Sequence, residues 1–347
     1  MKYARVQLEA LGYELAPVVV TTAELEERVA PVYQALRIAP GQLEALTGIV
    51  ERRWWEPGFA LSDGALAAAR KALAQSPVRP EEVEAVIFAG VCREQLEPAT
   101  ACKVAAGLGV SPGSAVFDLS NACLGVLNGI LEIANRIELG QIRAGIVVSC
   151  ESAREINDIV IRQMRENPTM EFFTRSLATL TGGSGGAAVL LTDGSFGGVP
   201  RRRLLGGVTR TEPQWNGLCR WGFAPEAQGG FTQFMFTDSV SVLKYGVELG
   251  RRTWEAFLAT VDWTREQVDK VICHQVGSSH QTQILQALGI PAEKDFTTYP
   301  YLGNMGTVSL PLTAALAEQR RFLETGDRVG FLGIGSGLNC LMLGVQW

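Results

Sequence analysis

Two residue types in this sequence are scarce enough, or placed well enough, to do covalent chemistry. The chain has only two histidines, His274 and His280, both within Cys273-His274-Gln275-Val276-Gly277-Ser278-Ser279-His280. His274 follows directly on the apolar run Val271-Ile272, and residues at strand ends in open α/β sheets border the ligand crevice. On position alone it is either a functional imidazole or a structural one. The seven cysteines (Cys92, Cys102, Cys123, Cys150, Cys219, Cys273, Cys340) are odd in number, scattered and never spaced as Cys-x-x-Cys. That pattern fits reduced thiols better than a disulfide framework or a zinc site. Cys123 stands at the start of a strongly helical segment, just after an apolar run that ends at Asp118. Unpaired N–H groups and the macrodipole at a helix N-terminus favour thiolate, so this thiol is expected to titrate below its free value of about 8.5 and to be nucleophilic. The competing reading is a small buried hydrophobe.

The elements that must position these residues alternate short apolar runs with longer helical patterns, the signature of an α/β protein. Val86-Ile87-Phe88, Ala115-Val116-Phe117, Gly145-Ile146-Val147-Val148, Ala187 to Leu191, Val271-Ile272 and Val329-Gly330-Phe331-Leu332 read as buried strands. Gly64 to Ala74 reads as a helix. So does Cys123 to Leu139, which sets Val126, Leu127, Ile130, Leu131 and Ala134 on one face and meets a C-terminal stop at Gly140. The two halves echo each other. Ser120-Asn121-Ala122-Cys123 opens one apolar helix that leads to the strand at 144–150, and Gly303-Asn304-Met305-Gly306 opens another that leads to the strand at 329–333. This reads as a duplicated unit, with halves at 1–195 and 196–347. The polar, Met- and Phe-containing stretch 153–177 is either an insertion capping a pocket or an ordinary surface excursion.

At 347 residues, 47% hydrophobic and 19% charged, the chain is long enough for a sizeable core and has the composition of a globular protein. A net charge of −5 argues against a nucleic-acid binder. The basic clusters Arg52-Arg53 and Arg201-Arg202-Arg203 are solvated surface or, alternatively, contacts for a coenzyme phosphate or an acidic carrier protein. The N-terminus has neither an apolar core nor a cleavage site of the secretory kind, and no run of 18 apolar residues occurs, so a cytoplasmic protein without a membrane span is expected.

Taken together, the motifs carry a family resemblance. Asn121-Ala122-Cys123-Leu124-Gly125, His274-Gln275-Val276, Gly303-Asn304-Met305-Gly306-Thr307 and Gly333-Ile334-Gly335-Ser336-Gly337 occur in the order seen in the β-ketoacyl-ACP synthase III branch of the thiolase superfamily, with Asn304 following His274 by 30 residues. Thr47-Gly48-Ile49-Val50-Glu51-Arg52-Arg53 resembles the N-terminal Thr-Gly-Ile-x-Glu-Arg signature of that branch. The resemblance implies a five-layered αβαβα fold of two duplicated halves. It implies Cys123 as the acylated nucleophile, His274 and Asn304 as donors to a thioester oxygen becoming enolate-like, and the N–H groups of Cys123 and Ser336 as the oxyanion hole. It implies no metal or redox cofactor, with coenzyme A thioesters as substrates.

Glu97 selects among subfamilies. In Glu97-Pro98-Ala99-Thr100-Ala101 the proline suits a first helical turn, which would place Glu97 at the N-cap, where Ser, Thr, Asp or Asn is usual. Decarboxylating synthases typically carry an apolar residue here, because loss of carbon dioxide makes the carbanion. Joining two acyl thioesters needs a base, and a Glu desolvated in an apolar pocket can be tuned for it. The sequence therefore resembles the acyl-CoA:acyl-CoA condensing enzymes of bacterial head-to-head hydrocarbon and β-lactone pathways, which share Gly303 to Leu312 and Gly333 to Cys340 almost verbatim. Gln42 and Leu46 stand where synthase III often has a Trp and an Arg for the coenzyme. Trp54-Trp55 read either as core aromatics or as a substitute stacking surface. The expected reaction is a non-decarboxylative Claisen condensation of two fatty acyl-CoAs through an acyl-Cys123 intermediate, in a homodimer that shares Glu97 across its interface, with downstream pathway enzymes as further partners. The alternatives are a decarboxylating synthase III using malonyl-ACP and a non-catalytic acyl-binding partner subunit.

Overall fold

A computed structural model describes residues 1–197, 202–226 and 229–347. The strands are β1 (Gln7–Leu15), β2 (Val18–Thr21), β3 (Glu51–Trp54), β4 (Ala85–Ala89), β5 (Ala115–Leu119), β6 (Ala144–Glu151), β7 (Gly185–Thr192), β8 (Arg202–Thr211), β9 (Cys219–Pro225), β10 (Phe231–Thr237), β11 (Lys270–Cys273), β12 (Arg328–Gly335) and β13 (Asn339–Gln346). The helices are α1 (Thr22–Arg28), α2 (Ala30–Leu36), α3 (Gln42–Thr47), α4 (Leu61–Leu73), α5 (Thr100–Leu108), α6 (Gly125–Glu138), α7 (Arg154–Glu166), α8 (Met170–Ser176), α9 (Ser239–Val261), α10 (Ser278–Leu288), α11 (Tyr299–Leu302) and α12 (Ser309–Gln319). All six apolar runs expected as strands are strands.

Nine strands run in the order β11-β12-β13-β8-β1-β7-β6-β4-β5, and the sheet is two half-sheets joined by a short contact. Among the described residues, β1 and β8 pair across the seam at Gln7↔Arg203 and Leu8↔Arg202. Each half repeats one pattern of sense. In the first, β4 and β6 are parallel while β6/β7 and β7/β1 are antiparallel. In the second, β11 and β12 are parallel while β12/β13 and β13/β8 are antiparallel. The expected duplication is therefore visible in topology, with β5 an extra strand on the outer edge of the first half.

Alternation of side chains along the strands builds five layers. In β4, Val86 and Phe88 face outward onto α4 and α5 through Ala68, Ala72, Val104 and Leu108. Ile87 and Ala89 face inward, onto α6. The central layer is α6 with α12, whose apolar residues meet Val147 and Val189 of one half-sheet and Phe331, Leu341 and Leu343 of the other. A helix between two sheets must be apolar all round, and Ser309–Ala317 are all buried. On the far face, Trp254, Phe257 and Leu285 of α9 and α10 cover Val271, Leu332 and Met342. Between β6 and β7 the chain leaves the layers to form α7 and α8, which carry Ile156, Val160 and Phe173 into a separate core.

One close approach tests this layering. A Cβ on Gly12 in β1 would lie 2.0 Å from Ala68 O and 2.7 Å from Ala72 N of α4, so the helix sits directly on the strand backbone. Gly12→Ala should therefore cost about 1–3 kcal/mol of stability, as overpacking does, read as a lower urea midpoint at unchanged slope. A change within about 0.5 kcal/mol would mean that α4 is not seated on β1 in this way.

Candidate active site

The C-terminal ends of β5, β6, β11 and β12 converge on a cavity of about 880 Å³, the location expected for ligands of open α/β sheets. Cys123, His274, Asn304 and Ser336 all line it, so the structure brings together the four residues that the motifs place far apart in sequence. The remaining wall is mostly apolar. Trp221, Phe234 and Met235 come from the β9–β10 ribbon, Val242, Leu243 and Val247 from α9, and Ile156 and Leu177 from the 153–177 excursion.

Cys123 follows a strained residue. Ala122 has φ of +47°, a left-handed conformation that L-residues avoid, and such outliers persist where the surroundings over-determine them. Gly335 passes so close that a Cβ there would lie 3.4 Å from Cys123 N. An amide chain then joins the two loops: Asn339 Nδ2 donates to Asn121 Oδ1 (3.1 Å) and to Ser336 O (3.1 Å), and Asn121 Nδ2 donates to Asn128 Oδ1 (2.8 Å). The helix start is tied as well, since Val126 N donates to Thr307 Oγ1 at 2.7 Å.

Asn304 sits on a backbone bridge to 181–183, with its N–H on Thr181 O and its carbonyl accepting from Gly183 N, both 2.9 Å. Its Oδ1 accepts from Gly306 N at 3.0 Å, which leaves Nδ2 as the group free to donate. Gly306, at φ of +57°, lets the chain turn back to make that bond. His274 is held by its backbone, its N–H donating to Leu332 O at 3.0 Å. Gln275 braces the segment: Nε2 donates to Cys273 O, and Oε1 accepts from Thr298 N (2.9 Å) and Tyr299 N (3.2 Å). His274 Nδ1 is buried without a protein partner, so the protein does not pin the tautomer.

Burial dominates the electrostatics. It pushes the His274 pKa down to about 4, helped by His280, and the Cys123 thiol up to about 12, helped by the neighbouring Cys219 and Glu151. The expectation of a depressed Cys123 pKa is thus corrected. Gly125 is the first residue of α6, Val126 N–H is taken by Thr307, and loss of water outweighs the dipole. Burial thus favours the neutral form of both the thiol and the imidazole.

Glu97 is exposed and does not line the cavity of its own chain. Nor is it an N-cap: α5 starts at Thr100 with Ala99 at the cap. The capping carboxylate is Asp118, accepting from Thr100 N and Ala101 N at 2.9 Å each. The basic clusters are also not plain surface. Arg52 is fully buried, donating to Thr22 Oγ1 (2.9 Å) and Leu180 O (3.1 Å), and burial lowers its pKa to about 10. Arg202 is buried beside Trp347 and pairs with Glu318, while Arg201 lies outside the described residues. Trp54 and Trp55 are core residues, 2% and 3% exposed. Leu46, half exposed, stands at the cavity mouth.

Sequence reasoning missed Glu151, Thr307, the asparagine chain and the β9–β10 ribbon. Glu151 had a signal, an acidic residue ending the apolar run from Ala144 to Cys150. The asparagines had none, because their partnership spans more than 200 residues (Asn121 to Asn339). Among the described residues no cluster of His, Cys, Asp or Glu could hold a metal ion.

Two family models match the chain: the C-terminal region of 3-oxoacyl-[acyl-carrier-protein] synthase III over residues 258–347, and the thiolase N-terminal domain over residues 60–181. The acyl-CoA:acyl-CoA alkyltransferase of Shewanella oneidensis is 60% identical over the full length of both chains. The protein of that name from Xanthomonas campestris is 36% identical, again over the full length of both. A solved structure of a cysteine-to-serine variant of Xanthomonas campestris OleA, with bound lauric acid and lauroyl-CoA, is 35% identical and superimposes with a TM-score of 0.92, covering 99% of this chain and 100% of that one. The chain belongs to the acyl-CoA:acyl-CoA alkyltransferases, acyltransferases of the thiolase superfamily with the five-layered fold.

Proposed function

We propose that this enzyme joins two fatty acyl-CoAs, without decarboxylation, into a 2-alkyl-3-oxoacyl product. The observation that carries the reading is the meeting of Cys123, His274, Asn304 and Ser336 in one mostly apolar cavity whose volume lies at the upper end of the range for small-molecule sites. Cys123 Sγ attacks the first acyl carbonyl. Because the thiol is held high and the imidazole low, deprotonation accompanies attack, and the proton leaves on the departing coenzyme A thiol. The N–H groups of Cys123 and Ser336 receive the developing oxyanion, each donor worth about 2.7–4 kcal/mol in comparable sites. A second acyl-CoA then presents its carbonyl oxygen to His274 and to Asn304 Nδ2. Glu97 removes the α-proton, the enolate carbon attacks the Cys123 thioester, the C–S bond breaks, and the thiolate regains a proton.

Glu97 arrives from a second copy of the chain in this reading. Its exposure and its absence from its own cavity support that, as does β5, an edge strand of half-buried residues that leaves a backbone ladder open for pairing. The unit is a homodimer, divided within each chain at 195/196, with the 153–177 excursion capping the cavity. Coenzyme A thioesters are substrates, and no resident cofactor enters any step. The protein works in the cytoplasm and hands its product to downstream enzymes; among the described residues no helix is long and apolar enough to cross a membrane.

Brief exposure to acyl-CoA should leave one acyl adduct, seen by intact-protein mass spectrometry and lost in Cys123→Ser, and an adduct on Cys92 or Cys273 would reassign the nucleophile. In the free enzyme, iodoacetamide alkylation of Cys123 should keep rising with pH beyond 9, since the thiolate fraction grows toward a pKa of about 12. A plateau between pH 6 and 8 would reveal a thiolate–imidazolium pair instead.

Glu97→Gln should load acyl groups normally yet lose condensation by about 10²–10⁴-fold, the usual contribution of a general base. Product from malonyl-ACP, with none from two acyl-CoAs, would assign the chain to decarboxylating synthases. For the shared site, Cys123→Ala and Glu97→Ala homodimers should regain about a quarter of wild-type activity after subunit exchange, because half the dimers are mixed and one site in each is whole. No recovery, with exchange verified by differential tags, places Glu97 in its own chain's site.

A further inference from the structure

Glu151 is a buried carboxylate that the mechanism does not use. It ends β6, is 4% exposed and lies in the wall of the cavity that holds Cys123. Both of its oxygens are committed, Oε1 accepting from Val91 N at 2.9 Å and Oε2 from Cys92 N at 3.0 Å. Those two N–H groups belong to the root of the segment that runs from β4 to α5 and carries Glu97. A second tie reinforces the root, since Cys92 Sγ donates to Ser152 O at 3.4 Å.

The rest of the segment is fastened in the same manner. Glu94 accepts from both Ser62 N and Ser62 Oγ at 2.7 Å and pairs with Lys103. Arg93 pairs with Asp118, the carboxylate that caps α5. Between these ties Leu96 is 97% exposed and Glu97 is exposed, so a rigid arm projects its tip away from its own cavity. An amide at position 151 would offer one acceptor and one donor to two N–H groups. One tie would be lost and a buried N–H left facing an NH₂, the costly case.

We propose that Glu151 is a positioning residue that acts in the partner's site, fixing the root of its own chain's arm and so the place of that chain's Glu97 beside the Cys123 of a second copy. The proposal rests on the shared-site reading above. Its competitor is local: Glu151 lies close enough to raise the Cys123 thiol of its own chain, and could serve that cysteine instead. The two roles fall on different chains, which subunit mixing separates.

Glu151→Gln should load acyl groups on Cys123 as wild type does and condense about 10²-fold more slowly, the loss expected when a reacting group is misplaced by about 1 Å. Three mixtures of homodimers are then exchanged. Cys123→Ala with Glu97→Ala is the control for the shared site and should regain about a quarter of wild-type condensation. Cys123→Ala with Glu151→Gln should regain the same quarter, because the chain that keeps Cys123 receives an intact arm. Glu97→Ala with Glu151→Gln should regain nothing, because each intact cysteine then meets a defective arm.

The local role predicts the reverse, no recovery in the second mixture and a quarter in the third, and that result would overturn the proposal while leaving the shared site standing. No recovery in the control overturns the shared site and the proposal together. If Glu151→Gln fails to load acyl groups, the same mixtures are run with Gly90→Ala, whose added Cβ would sit 3.2 Å from Glu151 Oε1 and disturb the clamp from the arm side. The same rule then decides.

Discussion

The hydrogen bond from Val126 N to Thr307 Oγ1, 2.7 Å long, joins the starts of the two central helices, and the site's geometry depends on it. α6 and α12 form the layer that touches both half-sheets, so whatever sets their relative placement sets where the loops before them meet. One loop carries Cys123 and the other Asn304. Because α6 has no side-chain cap of its own, the cap supplied by Thr307 satisfies an orphan donor and locks the two halves in register at once. The asparagine chain from Asn339 through Asn121 to Asn128 does the same for the loop of Ser336.

Around that junction burial, rather than added charge, sets the electrostatics. Among the described residues no Lys or Arg lines the cavity apart from Arg220, which is exposed on the ribbon. Burial therefore decides the protonation states, and it acts in opposite directions on acids and bases. The thiol and Asp295 rise, the latter to about 6, while both histidines fall to about 4. Asp295 accepts from Cys273 N and Gln281 Nε2, bracing the strand end and the helix that flank His274. A site of this kind holds dipoles in place before reaction and leaves charge to appear only with the substrate.

Much of this was legible in the sequence, and the reasons for the rest are physical. Apolar runs such as Val86-Ile87-Phe88 announce strands buried on both faces, and the four motifs place His274 and Ser336 directly after strands and Cys123 and Asn304 just ahead of the two central helices. The β9–β10 ribbon escaped notice because it pairs only with itself. With most positions half buried whichever face they point to, as Trp221, Gly222, Gln233, Phe234 and Met235 are, it has no clean period of two. The Cys123 pKa was misjudged because a sequence displays helix starts and hides desolvation. In sequence Pro98 reads as a first helical turn with Glu97 as its cap, whereas the capping group, Asp118, comes from the neighbouring strand.

The ribbon's isolation also bears on how such an enzyme changes over time. Trp221, Phe234 and Met235 shape the cavity from outside the layered core, attached to neither half-sheet by strand pairing. Substitutions there alter the space offered to a hydrocarbon tail without touching the seam, the central helices or the register of the sheets. The wall offered to the tail and the layered scaffold are thus built from different residues, so the shape of the cavity can change while the layers keep their packing.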